Sequence, residues 1–168
     1  MTLAFLSLGS NIAPERHLPA AVREIARLGA LLALSRAYET PPVGGAPQPR
    51  FVNCAALLET DLDALALKAA LRQIEERLGR VRQADQNAPR TIDLDIALFG
   101  DETLHLHGRQ IPDPALQSQA HIAVPLADLS PAHRHPLTGQ PLAQIAAATD
   151  QRGLLQRRDI DLWPTPAY

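Results

Sequence analysis

The feature that most restricts the fold is a predicted strand over residues 91–99, in which apolar and acidic side chains alternate from Ile92 to Ile96. In an extended strand, a period of two residues sends Leu94 and Ile96 to one face of a sheet. Asp93 and Asp95 then lie together on the other face. Such a strand predicts a sheet that packs helices on one face and leaves its other face available to ligands.

The rest of the chain supplies partners for this strand. The predicted elements are, in order, a strand over 3–8, a helix over 20–31, strands over 34–38 and 51–59, a helix from 61 or 63 to 78, and the strand over 91–99. This βαββαβ order predicts an α+β fold, a ferredoxin-like sandwich with an antiparallel sheet. Additional C-terminal elements follow, among them a helix over 142–148. With 168 residues and no internal repeat, residues 1–168 are expected to form a single domain.

Charge and composition exclude several classes of partner. The net charge of −2 gives no general attraction to nucleic acid or to an anionic membrane surface. No apolar stretch reaches the length of a membrane span, and the N-terminal run lacks the basic residues of a signal peptide. The one cysteine, Cys54, lies in an apolar run, so no disulfide framework is expected. These features predict a cytoplasmic protein without nucleic-acid or membrane partners.

Asp93 and Asp95 are the first candidates for chemistry. Aspartate fits strands poorly, and two carboxylates about 7 Å apart on one face repel each other. Hard cations relieve this repulsion, and Mg²⁺ accepts one or two protein carboxylates together with water and phosphate oxygens. The pair therefore suggests a Mg²⁺-nucleotide site, with an ordinary solvated strand face as the alternative.

Three arginines, Arg80, Arg82 and Arg90, precede this strand. Their planar guanidinium groups suit a polyphosphate bound next to the carboxylates. The alternative pairs Arg80 or Arg82 with Glu75 and Glu76 in surface salt bridges, which are common and weak. The sequence lacks the Gly-x-x-x-x-Gly-Lys-Ser/Thr pattern of a P-loop, so that mode of phosphate binding is not expected.

Five segments together carry a resemblance to a known family. They are Leu8-Gly9-Ser10-Asn11, Thr40-Pro41-Pro42, Phe51-Val52-Asn53, Gly79-Arg80-Val81-Arg82 and Pro89-Arg90-Thr91-Ile92-Asp93-Leu94-Asp95-Ile96. In order and spacing the chain resembles the 6-hydroxymethyl-7,8-dihydropterin pyrophosphokinases from residue 1 to about 130. The resemblance implies transfer of the β,γ-pyrophosphoryl group of ATP to the pterin hydroxymethyl oxygen, with release of AMP, in folate synthesis.

The resemblance also implies roles for individual residues. The metal ligands would be Asp93 and Asp95, which would hold two Mg²⁺ ions with ATP. The catalytic residues would be Arg80, Arg82 and Arg90. The nucleotide site would include Glu75, Arg82, Arg90, Ile96, Asp113 and Gln119. The pterin site would include Thr40, Pro41, Val43, Phe51, Asn53 and His121. Taken singly, Phe51 is more typical of a core and Asn53 of a strand end.

Four positions depart from the family pattern. Asp113 replaces a histidine, Gln119 an arginine, His121 a second stacking aromatic residue and Asn87 a tryptophan. An anion at Asp113 would repel phosphate, whereas His121 would titrate near neutral pH. Three function classes therefore stay open: an active pyrophosphokinase, a divergent paralogue that binds a pterin or nucleotide with weak or no transfer, and an α+β binding module without a nucleotide.

Overall fold

The computed structural model describes residues 1–42, 47–82, 84–85 and 88–163. Val43 and Asn87, both singled out in the sequence, lie outside the described residues. The strands are β1 (Thr2–Ser10), β2 (Ala30–Leu34), β3 (Ala37–Thr40), β4 (Phe51–Thr60), β5 (Asp93–Phe99), β6 (Leu104–Leu106), β7 (Arg109–Ile111) and β8 (Leu155–Arg157). The helices are α1 (Pro14–Ile25), α2 (Ala64–Arg77), α3 (Ala120–Leu129) and α4 (Leu142–Ala148), with a 3₁₀ turn over Pro114–Gln117.

The main sheet has the order β5-β1-β4-β3-β8, and β2 pairs with the distal half of β4. Its neighbouring strands run antiparallel. β2 and β3 pair with successive parts of the same edge of β4, so together they occupy the position of one interrupted strand. With β2 and β3 counted as one strand, the six elements of the predicted βαββαβ order are arranged as in a ferredoxin-like α+β sandwich, which confirms the predicted fold class. Strands β6 and β7 form a hairpin that is a second, two-stranded sheet.

Helices α1 and α2 pack on the first face of the sheet. Helix α1 buries Leu18, Ala21, Val22 and Ile25, whose spacing of three and four residues forms one apolar stripe. Each of its large side chains contributes about 1.5–3 kcal/mol when buried. Helix α2 starts as one of the predicted caps requires, because the Asp63 carboxylate accepts a hydrogen bond from the Ala66 N–H at 2.7 Å.

The predicted bounds of the first helix, 20–31, are wrong. The helix occupies Pro14–Ile25, and proline in the first turn is favourable because its missing N–H has no intrahelical partner to lose. Beyond the helix, Gly29 passes so close to β4 that a Cβ at this position would meet the Glu59 carbonyl oxygen at 2.2 Å. The chain therefore leaves the helix early and enters β2 at Ala30.

The second face of the sheet is only partly open, unlike the predicted free face. Helices α3 and α4 cover the half formed by Phe5, Ala55 and Leu98 and build a second apolar core there. The uncovered half lies where β1, β4 and β5 carry Gly9, Asn53 and Asp93. Ligand access on this face is therefore confined to one end of the sheet.

Candidate active site

A cavity of about 330 Å³ lies over the uncovered half of the second face. We call it the central cavity. Ten residues predicted for the site line it: Thr40, Pro41, Phe51, Asn53, Arg90, Asp93, Asp95, Asp113, Gln119 and His121. Residues from β3, β4, β5 and α3 thus meet around one space, although they are up to 81 positions apart in the chain.

Gly9 of β1 forms the floor between two halves of this cavity. It pairs with Asn53 of β4 on one side and with Asp93 of β5 on the other. A Cβ at Gly9 would lie 2.8 Å from the Asn53 Oδ1 atom, a distance that real Cβ atoms do not tolerate. A residue without a side chain is therefore required for the close approach of Asn53 to the floor.

One end of the central cavity combines an aromatic ring with an amide. Asn53 is buried, and its Nδ2 donates a hydrogen bond to the Thr40 Oγ1 at 3.1 Å. The Arg90 guanidinium lies 5.4 Å from the centre of the half-buried Phe51 ring, within the range of a cation-π contact. A flat heterocycle with donor and acceptor edges is the chemistry that such a group recognises.

The opposite end holds the two carboxylates, and cations surround both. Arg80 Nη1 lies 2.5 Å from Asp93 Oδ1, and Arg90 Nη1 lies 2.9 Å from Asp93 Oδ2. Lys68 Nζ lies 2.7 Å from Asp95 Oδ1, whereas an Arg109 nitrogen is 3.9 Å from its Oδ2. Burial acts to raise the pKa of Asp93, but Arg80 and Arg90 outweigh it, so the net pKa is lowered. This carboxylate therefore stays an anion.

Behind the carboxylates, Glu75 of α2 holds two of the arginines. Its side chain is 2% exposed. One carboxylate oxygen accepts from Arg80 at 2.8 Å and from the Leu94 N–H at 2.7 Å, and the other accepts from Arg82 at 2.8 Å. Burial raises the pKa of Glu75, with the Leu94 N–H and the charge of Arg80 acting in the opposite direction. Of the surface salt bridges considered from the sequence, those of Arg80 and Arg82 to Glu75 are present, but with a buried carboxylate, whereas Glu76 pairs with Arg72. Arg80 adds its contact to Asp93.

Two further cavities adjoin the central one. The first, of about 250 Å³, lies between β5 and the β6-β7 hairpin, and we call it the hairpin cavity. Its lining includes Lys68, Asp95, Ile96, Arg109 and Asp113. The second, of about 660 Å³, is the arginine cavity, lined by residues that include Arg80, Arg82, Arg90, Asp93 and Arg109. Asp95 and Asp93 each border the central cavity and one of the others, so the carboxylates stand at the junction of all three.

Asp113 has a structural role as the N-terminal cap of the 3₁₀ turn. Its Oδ1 accepts from the Ala115 N–H at 2.9 Å and so caps the 3₁₀ turn, while its own N–H donates to the Ala97 carbonyl. Burial raises its pKa, and the nearby Asp95 adds to the shift, whereas the Ala115 N–H lowers it. Capping thus explains an aspartate at this site without any ligand.

His121 and Gln119 lie at the start of α3, on the wall of the central cavity. Burial lowers the pKa of His121, although the Asp113 carboxylate acts to raise it. The imidazole therefore gains its proton below its ordinary range. Relative to the expectation of titration near neutral pH, the shift is towards lower pH.

Sequence reasoning missed Lys68 and Arg109, the two cations nearest to Asp95. A signal for Lys68 was present, because it precedes Glu75 by seven residues and so lies on the same face of α2, two turns away. Arg109 belongs to β7, and its approach to Asp95 depends on how the β6-β7 hairpin folds back beside β5. Its local sequence gives no indication of that contact.

Comparison with known proteins adds a sequence relationship to this geometry. The sequence profile of the family described as 7,8-dihydro-6-hydroxymethylpterin-pyrophosphokinase (HPPK) matches residues 5–131. A Pseudomonas aeruginosa protein named 2-amino-4-hydroxy-6-hydroxymethyldihydropteridine pyrophosphokinase is 42% identical over 153 residues, which cover 89% of this chain and 93% of that protein. A Bacillus subtilis protein of the same name is 34% identical over 155 residues, covering 90% of this chain and 88% of the relative.

The fold has counterparts among solved structures. The chain is similar to Plasmodium falciparum HPPK-DHPS A437G crystallised with STZ-DHP, with a TM-score of 0.70 at 15% identity. The match covers 87% of this chain and 45% of that chain, so the chain spans less than half of the longer protein. At this identity the likeness concerns the fold alone.

Proposed function

The chain belongs to the 7,8-dihydro-6-hydroxymethylpterin-pyrophosphokinase family, and from this premise we propose that it transfers pyrophosphate from ATP to 6-hydroxymethyl-7,8-dihydropterin in folate biosynthesis. The pterin hydroxymethyl oxygen attacks the β-phosphorus and loses its proton. The bond from that phosphorus to the oxygen bridging to the α-phosphate breaks, and AMP leaves. One observation carries the proposal: the central cavity has an aromatic-amide end on β4 and a dicarboxylate end on β5, the two strands that flank β1.

The pterin is proposed to bind at the aromatic-amide end. Phe51 offers a ring face for stacking, and Asn53 offers an amide whose orientation is held by Thr40. Pro41, which follows β3, and His121 of α3 border the same space. Stacking between two side chains with a fixed amide at the ring edge orients a flat substrate more tightly than apolar burial alone. We retain Val43 as a proposed contact on the strength of the sequence resemblance.

The nucleotide is proposed to occupy the hairpin and arginine cavities, with its phosphates beside the carboxylates. Ile96 lines the hairpin cavity, and Arg82 and Arg90 line the arginine cavity. Glu75 acts by holding Arg80 and Arg82 in place. Asp113 and Gln119 border the central cavity where the transferred group would pass.

The donor set at Asp93 and Asp95 fits Mg²⁺. Both groups are hard oxygen ligands on one face of β5. Among the described residues, no cluster of three or more His, Cys, Asp or Glu side chains is arranged to hold a metal. Mg²⁺ needs only one or two protein carboxylates, because water and phosphate oxygens supply its remaining ligands. When bound, Mg²⁺ would neutralise phosphate charge and polarise the β-phosphorus; two ions are proposed, as in the family.

Arg80, Arg82 and Arg90 are proposed as the catalytic cations. Phosphoryl transfer needs little covalent chemistry from a protein, so charge stabilisation and positioning supply most of the rate enhancement. Arg80 and Arg90 each donate to Asp93, and this arrangement fixes their guanidinium groups before a substrate binds. Such preorganisation avoids reorganising the site during the reaction.

The wider assignments follow from the same premise. We propose that residues 1–168 act as one domain, that ATP and a pterin are the partners, and that the enzyme works in the cytoplasm. None of the helices in the described ranges is both long and apolar enough to cross a lipid bilayer. Asp113, Gln119 and His121 motivate the alternative of a divergent, weakly active paralogue, but their contacts within the described part of the chain do not favour it.

The decisive test is AMP formation from ATP, the pterin and Mg²⁺. We expect AMP and pyrophosphorylated pterin in equal amounts, with no AMP when the pterin or Mg²⁺ is omitted. Arg80→Met should lower the rate at least about hundredfold, whereas Arg72→Met, an exposed arginine on α2, should not change it. Release of ADP, or ATP consumption that is independent of the pterin, would contradict the proposed reaction.

A further inference from the structure

Lys68 contacts one of the two active-site carboxylates, Asp95, from a helix on the opposite side of the sheet. It belongs to α2, which packs on the first face through Leu67 and Leu71. Because β5 is the terminal strand of the main sheet in the described part of the chain, the lysine side chain reaches Asp95 around the edge of this strand. Its Nζ donates to the Asp95 Oδ1 at 2.7 Å and to the Leu94 carbonyl at 2.9 Å.

This arrangement ties up one oxygen of a proposed metal ligand. Lys68 is 27% exposed and Asp95 is 19% exposed, so water screens the pair only in part. An ammonium at hydrogen-bond distance fixes the rotation of the carboxylate and weakens its negative potential. The other oxygen, 3.9 Å from Arg109, faces no comparably close cation among the described residues.

A divalent cation at Asp95 would therefore bind a carboxylate that already accepts a hydrogen bond from the Lys68 ammonium. Without a nucleotide, the ion meets repulsion from Lys68 and from the arginines around Asp93. A triphosphate would bring the negative charge that offsets these cations. Whether the charge of Lys68 weakens the binding of the divalent cation thus depends on whether the nucleotide is present.

We propose that Lys68 is a positioning residue that holds Asp95 and opposes divalent-cation binding until the nucleotide arrives. The inference rests on the proposed function, since it assumes that Asp95 is a metal ligand. In this role Lys68 makes metal and nucleotide binding cooperative and leaves the empty site selective against free Mg²⁺. A lysine that merely joins α2 to β5 would affect the stability of the fold but would not oppose a metal.

Calorimetric titration with Mn²⁺ alone separates these roles. Lys68→Met removes the charge and keeps most of the side-chain volume, so Mn²⁺ should bind at least about fivefold more tightly than to the parent protein. Lys68→Gln should show the same direction, and it decides the matter if the methionine variant unfolds. Lys68→Arg should stay near the parent value because the charge remains.

Arg72→Met is the matched control, since Arg72 lies on the same helix, is 60% exposed and pairs with Glu76. It should bind Mn²⁺ as the parent protein does. Equal or weaker Mn²⁺ binding in folded Lys68→Met and Lys68→Gln would overturn the inference.

Asp95→Asn distinguishes this failure from failure of the proposed site. If Asp95→Asn binds Mn²⁺ as tightly as the parent protein, the metal assignment itself is wrong. If Asp95→Asn loses affinity while the uncharged Lys68 variants match the parent, only the role of Lys68 is wrong. Tighter binding in the uncharged variants together with weaker binding in Asp95→Asn supports both.

Discussion

The Asn53 amide nitrogen lies 3.1 Å from the Thr40 hydroxyl oxygen, and this hydrogen bond joins β4 to β3 beneath the central cavity. This bond fixes the plane of the amide. Asn53→Ala should remove both the bond and the amide edge proposed to bind the pterin. We expect pterin affinity to fall at least about tenfold, with a loss of roughly 1 kcal/mol in the free energy of unfolding. Calorimetry with the pterin and urea unfolding measure the two effects.

Thr40→Val is the matched control, since it removes the hydroxyl acceptor and leaves the amide in place. Its pterin affinity should fall less than that of Asn53→Ala. An Asn53→Ala protein that binds the pterin as tightly as its parent would show that the pterin lies elsewhere.

Asp95→Ala should abolish most Mg²⁺-dependent nucleotide binding while the protein stays folded. The reason is loss of a ligand oxygen on the face shared with Asp93, and the affinity for Mg-ATP should drop about tenfold or more. Calorimetry with a non-hydrolysable ATP analogue and Mg²⁺ provides the measurement. Asp61→Ala, an exposed carboxylate remote from the site, should bind as the parent does, and unchanged binding by Asp95→Ala would contradict the metal role.

Glu75→Ala should destabilise the fold strongly because it leaves two arginines and the Leu94 N–H without their shared acceptor. Removing one partner of a buried ion pair costs about 3–5 kcal/mol. Urea unfolding should show a loss in this range, whereas Glu76→Ala, at the exposed neighbouring position, should lose less than about 1 kcal/mol. Similar losses in the two variants would contradict the buried role of Glu75.

His121 should make the fold less stable in acid. Its folded-state pKa is lowered by burial, so as the pH falls below about 6.5 the unfolded chain gains a proton that the folded protein resists. His121→Phe should reduce the loss of unfolding free energy between pH 7.5 and 5.5. Part of that loss should remain, because burial also lowers the pKa values of His133 and His135.

The same variant tests stacking, since phenylalanine keeps an aromatic face. At pH 7.5 it should bind the pterin at least as tightly as the parent protein. If His121→Phe loses as much unfolding free energy between pH 7.5 and 5.5 as the parent protein, that loss belongs to other groups. If His121→Phe no longer binds the pterin, stacking by His121 is excluded.

Local periodicity was sufficient to predict several elements. The alternation around Asp93 and Asp95 predicted β5 and the shared face of its carboxylates. Two candidate caps, Asp61 and Asp63, predicted the start of α2, and the structure selects Asp63. Helix α4 matches the predicted bounds of 142–148. These features depend on side-chain period and caps, which are properties of a few neighbouring residues.

Contacts between distant segments were not predicted. The early end of α1 depends on the approach of Gly29 to the Glu59 carbonyl, which forms only when β2 pairs with β4. Cover of the second face by α3 and α4 depends on apolar residues, such as Phe5 and Leu98, from separate strands. Helical spacing indicated that Lys68 shares a face of α2 with Glu75, but its contact with Asp95 depends on how the helix packs against the sheet.

Gly9 has a consequence for how this site can evolve. Asn53 and Asp93 each lie one strand away from it, so the two halves of the site are about 10 Å apart across the sheet. This distance is a property of backbone pairing, and side-chain substitutions leave it unchanged. Mutation can therefore alter which molecule each half of the site binds. The distance between the two bound molecules is set by the pairing of the strands, and only a β-bulge or a shift of register would change it.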